Sequence, residues 1–425
     1  MSIKRLLVIS LILLIPPCIF AISITGGEVE NPFPSVENLL KFDFTPTPAK
    51  GWKNAYLVTV DGGSEVYSYF GHSGIIIEED GEGTFYDWGN FSFSDGFYRN
   101  FLFGLLYYSA GRAPAKWRLS HFENSDRTIT ILPLKLGQGA IEGIATFLSY
   151  NMQPENRTYM YHYYKDNCAT RIRDIYNMAT GGEFERWASG IKRNTTYRKS
   201  AGRYLDKNFP MSLLINYLEG REVDVPIDLY EESYLPEVLE YAIATYQGNE
   251  SEEIYHTSGM EEEKSTGIAL QTLIASSFYM ILISALYLSG KRFLMRISDI
   301  ISSLLAVLFT IASLVLLFMM LFTSHDVTYF NSSILLVNPL YLVYVVEGLK
   351  GKNVEKRIKL SKAILMLSFI FIALKGTMPD VYIEDNIPII LTATAFALPY
   401  FLLSLKDGSK YPPSRPKKRR CARDL

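Results

Sequence analysis

Cysteine and histidine are scarce in this 425-residue chain, which has three cysteines and five histidines. A zinc site needs three or four ligands at close spacing, and one cysteine with scattered histidines in the polar part of the chain does not supply them. The phosphate-binding pattern GxxxxGK[ST] and the serine-nucleophile pattern GxSxG are both absent. The net charge of -2 gives no overall indication of nucleic-acid binding. The sequence therefore predicts no metal, no cofactor and no nucleic-acid partner.

Long apolar runs are confined to the two ends of the chain. The N-terminus, MSIKR followed by an apolar stretch that ends at Ala21, is typical of a signal peptide over residues 1–21. Beyond residue 264 the composition predicts an all-α transmembrane domain of about five helices over 267–406. The first, second and fifth apolar segments reach the ~20 residues that span a bilayer, and the third and fourth are shorter. The five segments are 268–289, 297–322, 334–346, 361–374 and 387–405.

Charge in the connecting loops predicts the orientation of the chain in a membrane. Lysine and arginine follow the first, third and fifth apolar segments, whereas the other loops carry aspartate and glutamate. Positively charged loops stay on the inner side, so we expect a multi-pass protein with a cytoplasmic C-terminus. Residues 22–266 would then lie outside the membrane. The basic tail at 407–425 is compatible with nucleic-acid binding, but on a membrane protein we expect it to be an orientation and anionic-lipid signal.

The polar part of the chain predicts an exported α+β domain over 51–248. An extended lead-in at 22–50 precedes it, and an acidic linker at 249–266 follows. The run at 56–60 is strand-like. The two runs that follow it, 73–79 and 83–89, flank the turn sequence EDGEG, so we expect them to form a hairpin. The expected elements are strands at 73–79, 83–89 and 127–134 and helices at 92–108, 139–153 and after residue 168.

Cys168 is the only cysteine in the polar part, because Cys18 lies in the N-terminal apolar stretch and Cys421 in the basic tail. An unpaired thiol in an oxidising compartment is a liability unless it has a function. The residues after it, ATRIRDIYNMAT, predict a helix with Asp166 or Asn167 as its N-cap. In the first turn, the helix dipole and free N–H groups favour a thiolate. The alternative is a small buried core residue.

A thiol nucleophile needs a base within hydrogen-bond reach, and the base needs an acceptor that orients it. His72 is the candidate base, because YFGHSGIII places it at the start of a strand beside a glycine. Asp87 on the paired strand is the candidate acceptor, from hairpin register alone, with Tyr86 and Glu78 as competitors. A solvated turn aspartate is the alternative for Asp87. This order of residues is a permuted version of the papain-like (NlpC/P60-like) thiol-enzyme arrangement, which is the fold we predict for the exported domain.

The runs SYFGHSGI, FYDWGNFSF, FYRNFLFGLLYY and PENRTYMYHYYKDNCATRIRD resemble the Lnb N-terminal periplasmic domain family. The apolar segments, including SHDVTYFNSSILLVNPL, resemble the transmembrane domain that accompanies it. The resemblance runs from about Trp52 to the last apolar segment, and GHS and NCATR are its most specific elements. On this resemblance the GHS histidine is His72 and the NCATR cysteine is Cys168, whereas Asp87 remains an inference from register.

The family resemblance implies a lipoprotein N-acyltransferase of the bacterial inner membrane. Its partners would be a phospholipid acyl donor, a diacylglyceryl lipoprotein acceptor and the membrane itself. The acyl chain would pass through a cysteine thioester. From their apolar character, aromatic residues between 91 and 108 are candidates for a wall that faces the chain, and ordinary core packing is the alternative for each of them.

Two other functions stay open at the level of sequence. An exported cysteine hydrolase, such as a cell-wall peptidase or amidase, shares the acyl-enzyme step and differs only in the second nucleophile. Five membrane segments weigh against it, since a wall hydrolase needs only one anchor. In a non-catalytic membrane assembly protein, Cys168 and His72 would be structural, and the thiol would react slowly with alkylating reagents.

Overall fold

The computed structural model describes residues 51, 53–93, 96–259, 267–349, 354–378 and 385–405. The expected signal peptide at 1–21, the lead-in at 22–50, the basic tail at 407–425 and the end of the acidic linker lie outside these residues. The chain divides into two compact units. The first unit, which we call the α/β unit, contains the described residues within 51–207 and 224–259. The other, the helical unit, contains 208–223 and the described residues from 267 onward.

A seven-stranded antiparallel sheet forms the centre of the α/β unit, with the strand order β6-β4-β3-β2-β1-β5-β9. Its strands are β1 (Lys53–Val60), β2 (His72–Glu79), β3 (Glu82–Asn90), β4 (Tyr107–Pro114), β5 (Ile129–Pro133), β6 (Thr158–Met160) and β9 (Glu252–Tyr255). A separate two-stranded sheet pairs β7 (Lys192–Thr196) with β8 (Pro226–Asp228). The strands expected at 56–60, 73–79, 83–89 and 127–134 are confirmed.

The β2–β3 hairpin forms as its sequence indicates. Glu79 pairs with Glu82, which leaves the two-residue loop Asp80–Gly81. Both loop residues have positive φ, 52° and 82°, and a two-residue hairpin turn of this kind favours Asp-Gly because glycine has no Cβ to clash. The β-branched run Ile75–Ile77 then supplies the buried centre of β2.

Helices cover both faces of the sheet. The helices of the α/β unit are α1 (Phe97–Phe103), α2 (Ala115–Asn124), α3 (Gln138–Asn151), α4 (Cys168–Ala179), α5 (Glu183–Ala188), α6 (Tyr197–Leu205), α8 (Leu229–Glu232) and α9 (Pro236–Gln247). On one face, Phe122 of α2 belongs to a buried cluster with Val58 and Phe85. On the other face, Nε1 of Trp88 donates to Oδ1 of Asn151, the last residue of α3, at 3.0 Å.

The expected helix over 92–108 is wrong in extent. The observed helix α1 has only seven residues, and Tyr107 already begins strand β4. Gly96 and Gly104 flank α1 in the left-handed conformation, with φ of 88° and 75°. A left-handed glycine just after a helix is a common terminator, and it turns the aromatic run from helix to strand.

The helical unit consists of α7 (Phe209–Leu218), α10 (Ile268–Leu288), α11 (Arg292–Phe322), α12 (Tyr341–Leu349), α13 (Val354–Thr377) and α14 (Ile387–Leu405). By length and composition, α10 and α11 are suited to crossing a bilayer. Large apolar side chains on these two helices, such as Phe278, Ile281 and Phe293, point outward from the protein. Such exposure is expected of helices that face lipid and is unusual for the core helices of a soluble domain.

One segment of the expected 51–248 domain belongs to the helical unit. Residues 208–223, which include α7, cluster with the membrane-like helices, and α7 packs against α10 and α14. The hydroxyl of Tyr217 donates to the backbone oxygen of Val337 at 2.8 Å. The chain therefore leaves the α/β unit after Lys207 and returns to it at Asp224. Composition alone does not mark this excursion, because α7 is short and lies between polar stretches.

Candidate active site

Cys168 is the first residue of α4, and Asn167 caps that helix. The Asn167 side chain accepts hydrogen bonds from the backbone N–H groups of Ala169 and Thr170, each at 2.9 Å. The hydroxyl of Thr170 accepts in return from the Asn167 N–H at 2.7 Å, which completes a reciprocal capping box. Of the two expected N-caps, Asn167 is the one observed, and Asp166 instead pairs with Arg171.

The Asn167 cap is also anchored to neighbouring backbone. Its Nδ2 donates to the backbone oxygens of Tyr163 and Tyr234, each at 3.0 Å. Asn167 is buried, so these bonds satisfy the amide group completely. The start of α4, and with it the position of Cys168, is thereby fixed by hydrogen bonds to the first turn of the helix, to Tyr163 and to Tyr234. Cys168 itself remains partly exposed.

His72 and Asp87 meet because of the register between β2 and β3. Gly74 pairs with Asp87, so His72 and Asp87 are diagonal neighbours on one face of the sheet. Nε2 of His72 lies 3.0 Å from Oδ2 of Asp87. The Cys168 thiol is close enough to the His72 ring for each group to shift the pKa of the other, and Nδ1 is the ring nitrogen that Asp87 does not use. The backbone N–H of Ser73 also lowers the pKa of the Cys168 thiol.

Two further side chains hold the Asp87 carboxylate. Nδ2 of Asn90 donates to Oδ1 at 2.9 Å, and Nε of Arg118 donates to Oδ2 at 3.1 Å. Sequence reasoning missed both residues. Asn90 lies three positions after Asp87 near the end of the same strand, where a polar residue was visible. Arg118 comes from α2, and no local pattern connects that helix to the β2–β3 hairpin.

The competing acceptors face elsewhere. Glu78 accepts a hydrogen bond from the hydroxyl of Tyr56 at 2.8 Å. Tyr86 alternates with Asp87 along β3 and so lies on the opposite face of the sheet. The structure therefore brings together Cys168, His72 and Asp87, the three residues that the sequence nominated.

The electrostatics of the three groups are linked. Burial would raise the pKa of the Cys168 thiol, but the charge and hydrogen bond of the His72 ring and the Ser73 N–H outweigh it and lower that pKa from 9.0. Burial would lower the pKa of His72, but the Cys168 charge and the Asp87 hydrogen bond raise it from 6.5 to about 9. This combination favours a thiolate–imidazolium pair near neutral pH.

Asp87 stays ionised beside this pair. Burial would raise its pKa, but the hydrogen bond and charge of His72, the charge of Arg118 and the Asn90 bond together lower it to about 2. Its side chain is only 5% exposed, and that of His72 is 19% exposed. A carboxylate that is buried this deeply stays ionised only because cationic and hydrogen-bonding groups surround it.

Small and aromatic residues complete the surroundings. A Cβ added to Gly74 would lie 2.0 Å from Cζ of Phe85, so the hairpin face tolerates only glycine there. Gly111 pairs with Asp87 from β4, and a Cβ there would lie 3.2 Å from Oδ1 of Asp87. The Phe122 ring packs 5.7 Å from the His72 ring, measured between centroids, and shields one side of it.

The remaining histidines of the α/β unit have other partners. Nδ1 of His162 accepts from the N–H groups of Tyr164 and Lys165, each at 3.0 Å, and His256 pairs with Glu253. The ring of His121 in α2 stacks on that of Trp117, with the centroids 6.1 Å apart. Across the described ranges, no three side chains of the metal-binding types His, Cys, Asp and Glu come together. The chemistry that the arrangement supports is nucleophilic attack by a thiol with a histidine as base.

Comparison with known proteins gives two family matches. Residues 53–201 match the family described as the Lnb N-terminal periplasmic domain, and residues 263–407 match the Lnb transmembrane domain. The first match includes Cys168, His72 and Asp87, and the second includes α10 to α14. Neither a curated protein nor a solved structure matches the chain.

Proposed function

Because the chain belongs to the Lnb family and is a membrane protein with an extracytoplasmic domain, we propose that it is a lipoprotein N-acyltransferase. A fatty acyl chain moves from a phospholipid ester to Cys168 and then to the N-terminal amine of a diacylglyceryl lipoprotein. One observation carries the proposal. A thiol at a helix start has its pKa lowered by the neighbouring His72 ring, which Asp87 orients, in a chain that also has long apolar helices.

The first half-reaction begins from the thiolate–imidazolium pair. The Cys168 sulfur attacks the carbonyl carbon of the phospholipid ester, and a C–S bond forms. The tetrahedral intermediate collapses as the C–O bond to the glycerol breaks. His72 gives its proton to the departing oxygen, so a lysophospholipid leaves, and a neutral imidazole and an acyl-thioester remain.

The second half-reaction restores the resting state. The lipoprotein amine attacks the thioester carbonyl, and the neutral His72 accepts the proton that the amine loses. The C–S bond breaks, the amide forms, and Cys168 is again a thiolate beside a protonated His72. Two half-reactions at one nucleophile imply ping-pong kinetics.

The oxyanion of each intermediate needs a donor. The N–H groups of Ala169 and Thr170 already donate to Asn167, as the capping geometry requires. The N–H of Cys168 itself is the helix-start donor that this cap does not use, so we assign it to the developing oxyanion. The N-terminal end of the α4 dipole adds positive potential at the same place.

A membrane location suits this chemistry. Each methylene withdrawn from an apolar environment costs about 0.8 kcal/mol, so a sixteen-carbon chain exposed to water would cost on the order of 10 kcal/mol. An enzyme joined to membrane helices avoids that exposure. We place the α/β unit on the extracytoplasmic side of the inner membrane, in a permuted papain-like arrangement, and the C-terminus in the cytoplasm.

Cys168→Ala tests the function directly. In cells where the variant is the only copy, lipoproteins analysed by mass spectrometry should carry two acyl chains, whereas the native protein gives three. Cys421→Ala, in the expected basic tail, is the matched control and should still give three. Three chains with Cys168→Ala would contradict the proposal.

The intermediate offers a second test that also separates the alternative functions. Protein trapped with a phospholipid should carry an acyl group that neutral hydroxylamine removes, and Cys168→Ser should lose that sensitivity. A cell-wall hydrolase would instead cleave peptide or amide bonds and form no lipid-derived thioester.

A further inference from the structure

An apolar surface lies on α1 and on the residues that directly follow β3, and it consists mainly of aromatic rings. We call it the aromatic patch; its members are Phe91, Phe93, Phe97, Tyr98, Phe101 and Leu102. Tyr98 is 72% exposed, Phe93 64% and Leu102 50%. Soluble surfaces rarely expose so many large apolar side chains side by side, and such patches mark sites of interaction.

Rings of the aromatic patch continue inward as a stacked row. The row runs through Phe101, Phe97, Phe91, Tyr108 and Tyr161. Successive ring centroids are 6.0, 5.6, 5.0 and 4.5 Å apart, and successive planes differ by 20° to 28°. Apart from the exposed Phe101, these residues are half-buried, so the row forms a continuous apolar wall and is not enclosed core.

The inner end of the ring row lies beside the candidate active site. His162 and Asp166 pair through two backbone hydrogen bonds of 2.9 and 3.1 Å, which bring Tyr161 close to the start of α4 and so to Cys168. A Cβ added to Gly89, two residues after Asp87 in β3, would lie 3.9 Å from the ring of Tyr161. Burial chiefly raises the pKa of Tyr161, and the negative charge of Cys168 is the next cause. The row therefore leads from the exposed α1 to the neighbourhood of the thiol.

We propose that the aromatic patch docks on the extracytoplasmic leaflet of the bilayer, and that the ring row receives an acyl chain there and guides it to Cys168. The docking stands on the exposed surface alone. The role of the guided chain as acyl donor rests on the proposed function.

Charge and connectivity favour a bilayer as the occupant. Helix α1, with the sequence FYRNFLF, has one cation, the exposed Arg99, and no carboxylate. This combination of apolar rings and a single cation suits the phosphate level of a phospholipid surface. The chain also passes directly from the α/β unit into the helical unit at Lys207–Asn208 and back at Val223–Asp224. These links keep the α/β unit tied to the membrane.

Fluorescence quenching in the full-length protein tests docking without any need for activity. Tyr98→Trp adds a reporter to the patch, and Tyr241→Trp adds one to α9, where Tyr241 is 54% exposed outside the patch. Both proteins are reconstituted into bilayers with and without lipids brominated along the acyl chain. The added emission of Tyr98→Trp should be quenched, whereas that of Tyr241→Trp should not.

A lack of quenching at position 98 would overturn the docking proposal. A blue-shifted but unquenched emission would show that protein covers the patch, either a second copy or the segment 22–50 of the same chain. That outcome also counts against a bilayer as the occupant.

Kinetics test the guidance role. Phe93→Ser/Tyr98→Ser should slow thioester formation from bilayer phospholipid by about tenfold or more, because the donor loses apolar contact at the surface. Formation from a water-soluble short-chain ester, and alkylation of Cys168 by iodoacetamide, should change by less than about twofold. Tyr241→Ser is the control and should leave all three rates unchanged.

The two kinds of failure are distinguishable. If the added emission of Tyr98→Trp is quenched but native protein forms no thioester from phospholipid, docking is supported and the acyltransferase proposal is refuted. If native protein forms the thioester and the double variant forms it equally fast, guidance by the patch is refuted. Should the double variant not fold, Tyr98→Trp alone decides the docking.

Discussion

Nε2 of His72 lies 3.0 Å from Oδ2 of Asp87, and Nε of Arg118 donates to that same oxygen at 3.1 Å. One carboxylate oxygen thus serves both the candidate base and a fixed cation. The Arg118 contact keeps Asp87 ionised, and the His72 contact orients the ring toward Cys168. The orienting group is therefore already charged and positioned before any substrate binds.

Asp87→Asn should remove the charge that supports a protonated His72. We expect thioester formation to fall by about 100-fold or more, since the ring loses both its orientation and its stabilising charge. Alkylation of Cys168 near neutral pH should fall as well, because the thiol loses part of its ionisation. Rates from stopped-flow or quenched reactions measure both. Asp80→Asn, in the exposed hairpin turn, is the matched control and should leave both rates unchanged.

The pH dependence should show two limits. Thiolate appears as pH rises through the Cys168 pKa, which lies below 9.0 because of the His72 ring, so alkylation should increase there. His72 loses its proton as pH rises through its pKa of about 9, so phospholipid cleavage should decline above that value while alkylation does not. In His72→Gln the alkylation inflection should move upward. An unchanged inflection would show that His72 does not ionise the thiol.

Asn167→Asp distinguishes the role of Asn167 as the N-cap of α4 from its effect on the charge of Cys168. Aspartate still accepts from the N–H groups of α4, so the helix start should persist. It loses the two donor bonds of Nδ2 and adds a negative charge next to Cys168, which should raise the thiol pKa and slow alkylation near neutral pH.

Asn167→Ala supplies the comparison for this position, since it removes the cap as well and should cost about 1–2 kcal/mol in unfolding free energy. Thermal denaturation of the purified protein measures that cost. Equal alkylation rates in native protein and Asn167→Asp would contradict the electrostatic account.

Gly74→Ala should destabilise the hairpin that carries both His72 and Asp87. The new Cβ would meet the buried ring of Phe85 at 2.0 Å, and relieving that overlap should cost about 1–3 kcal/mol. Gly137→Ala is the control, because a Cβ there meets nothing within 4 Å and its φ of -66° suits any residue. A melting temperature equal to that of native protein would show that the hairpin can shift to accept the methyl group.

Local patterns were sufficient wherever neighbours in sequence are neighbours in space. The Asp80–Gly81 turn sets the register of β2 on β3, and that register alone brings Asp87 diagonally to His72. Asn167 caps α4 through bonds to its own next residues. The single helix expected over the aromatic-rich run at 92–108 is wrong in extent, because Gly96 and Gly104, and not the apolar content, set the limits of helix α1.

Local sequence is enough to predict the hairpin, the capped helix that begins with Cys168, and the apolar segments, since each depends on hydrogen bonds or burial within a few residues. Three features emerge only in the folded chain. Arg118 donates to Asp87, residues 208–223 pack with the membrane-like helices, and stacked rings from three separate segments form one wall. Those contacts join residues far apart in the chain, and only the folded backbone determines which distant side chains become neighbours.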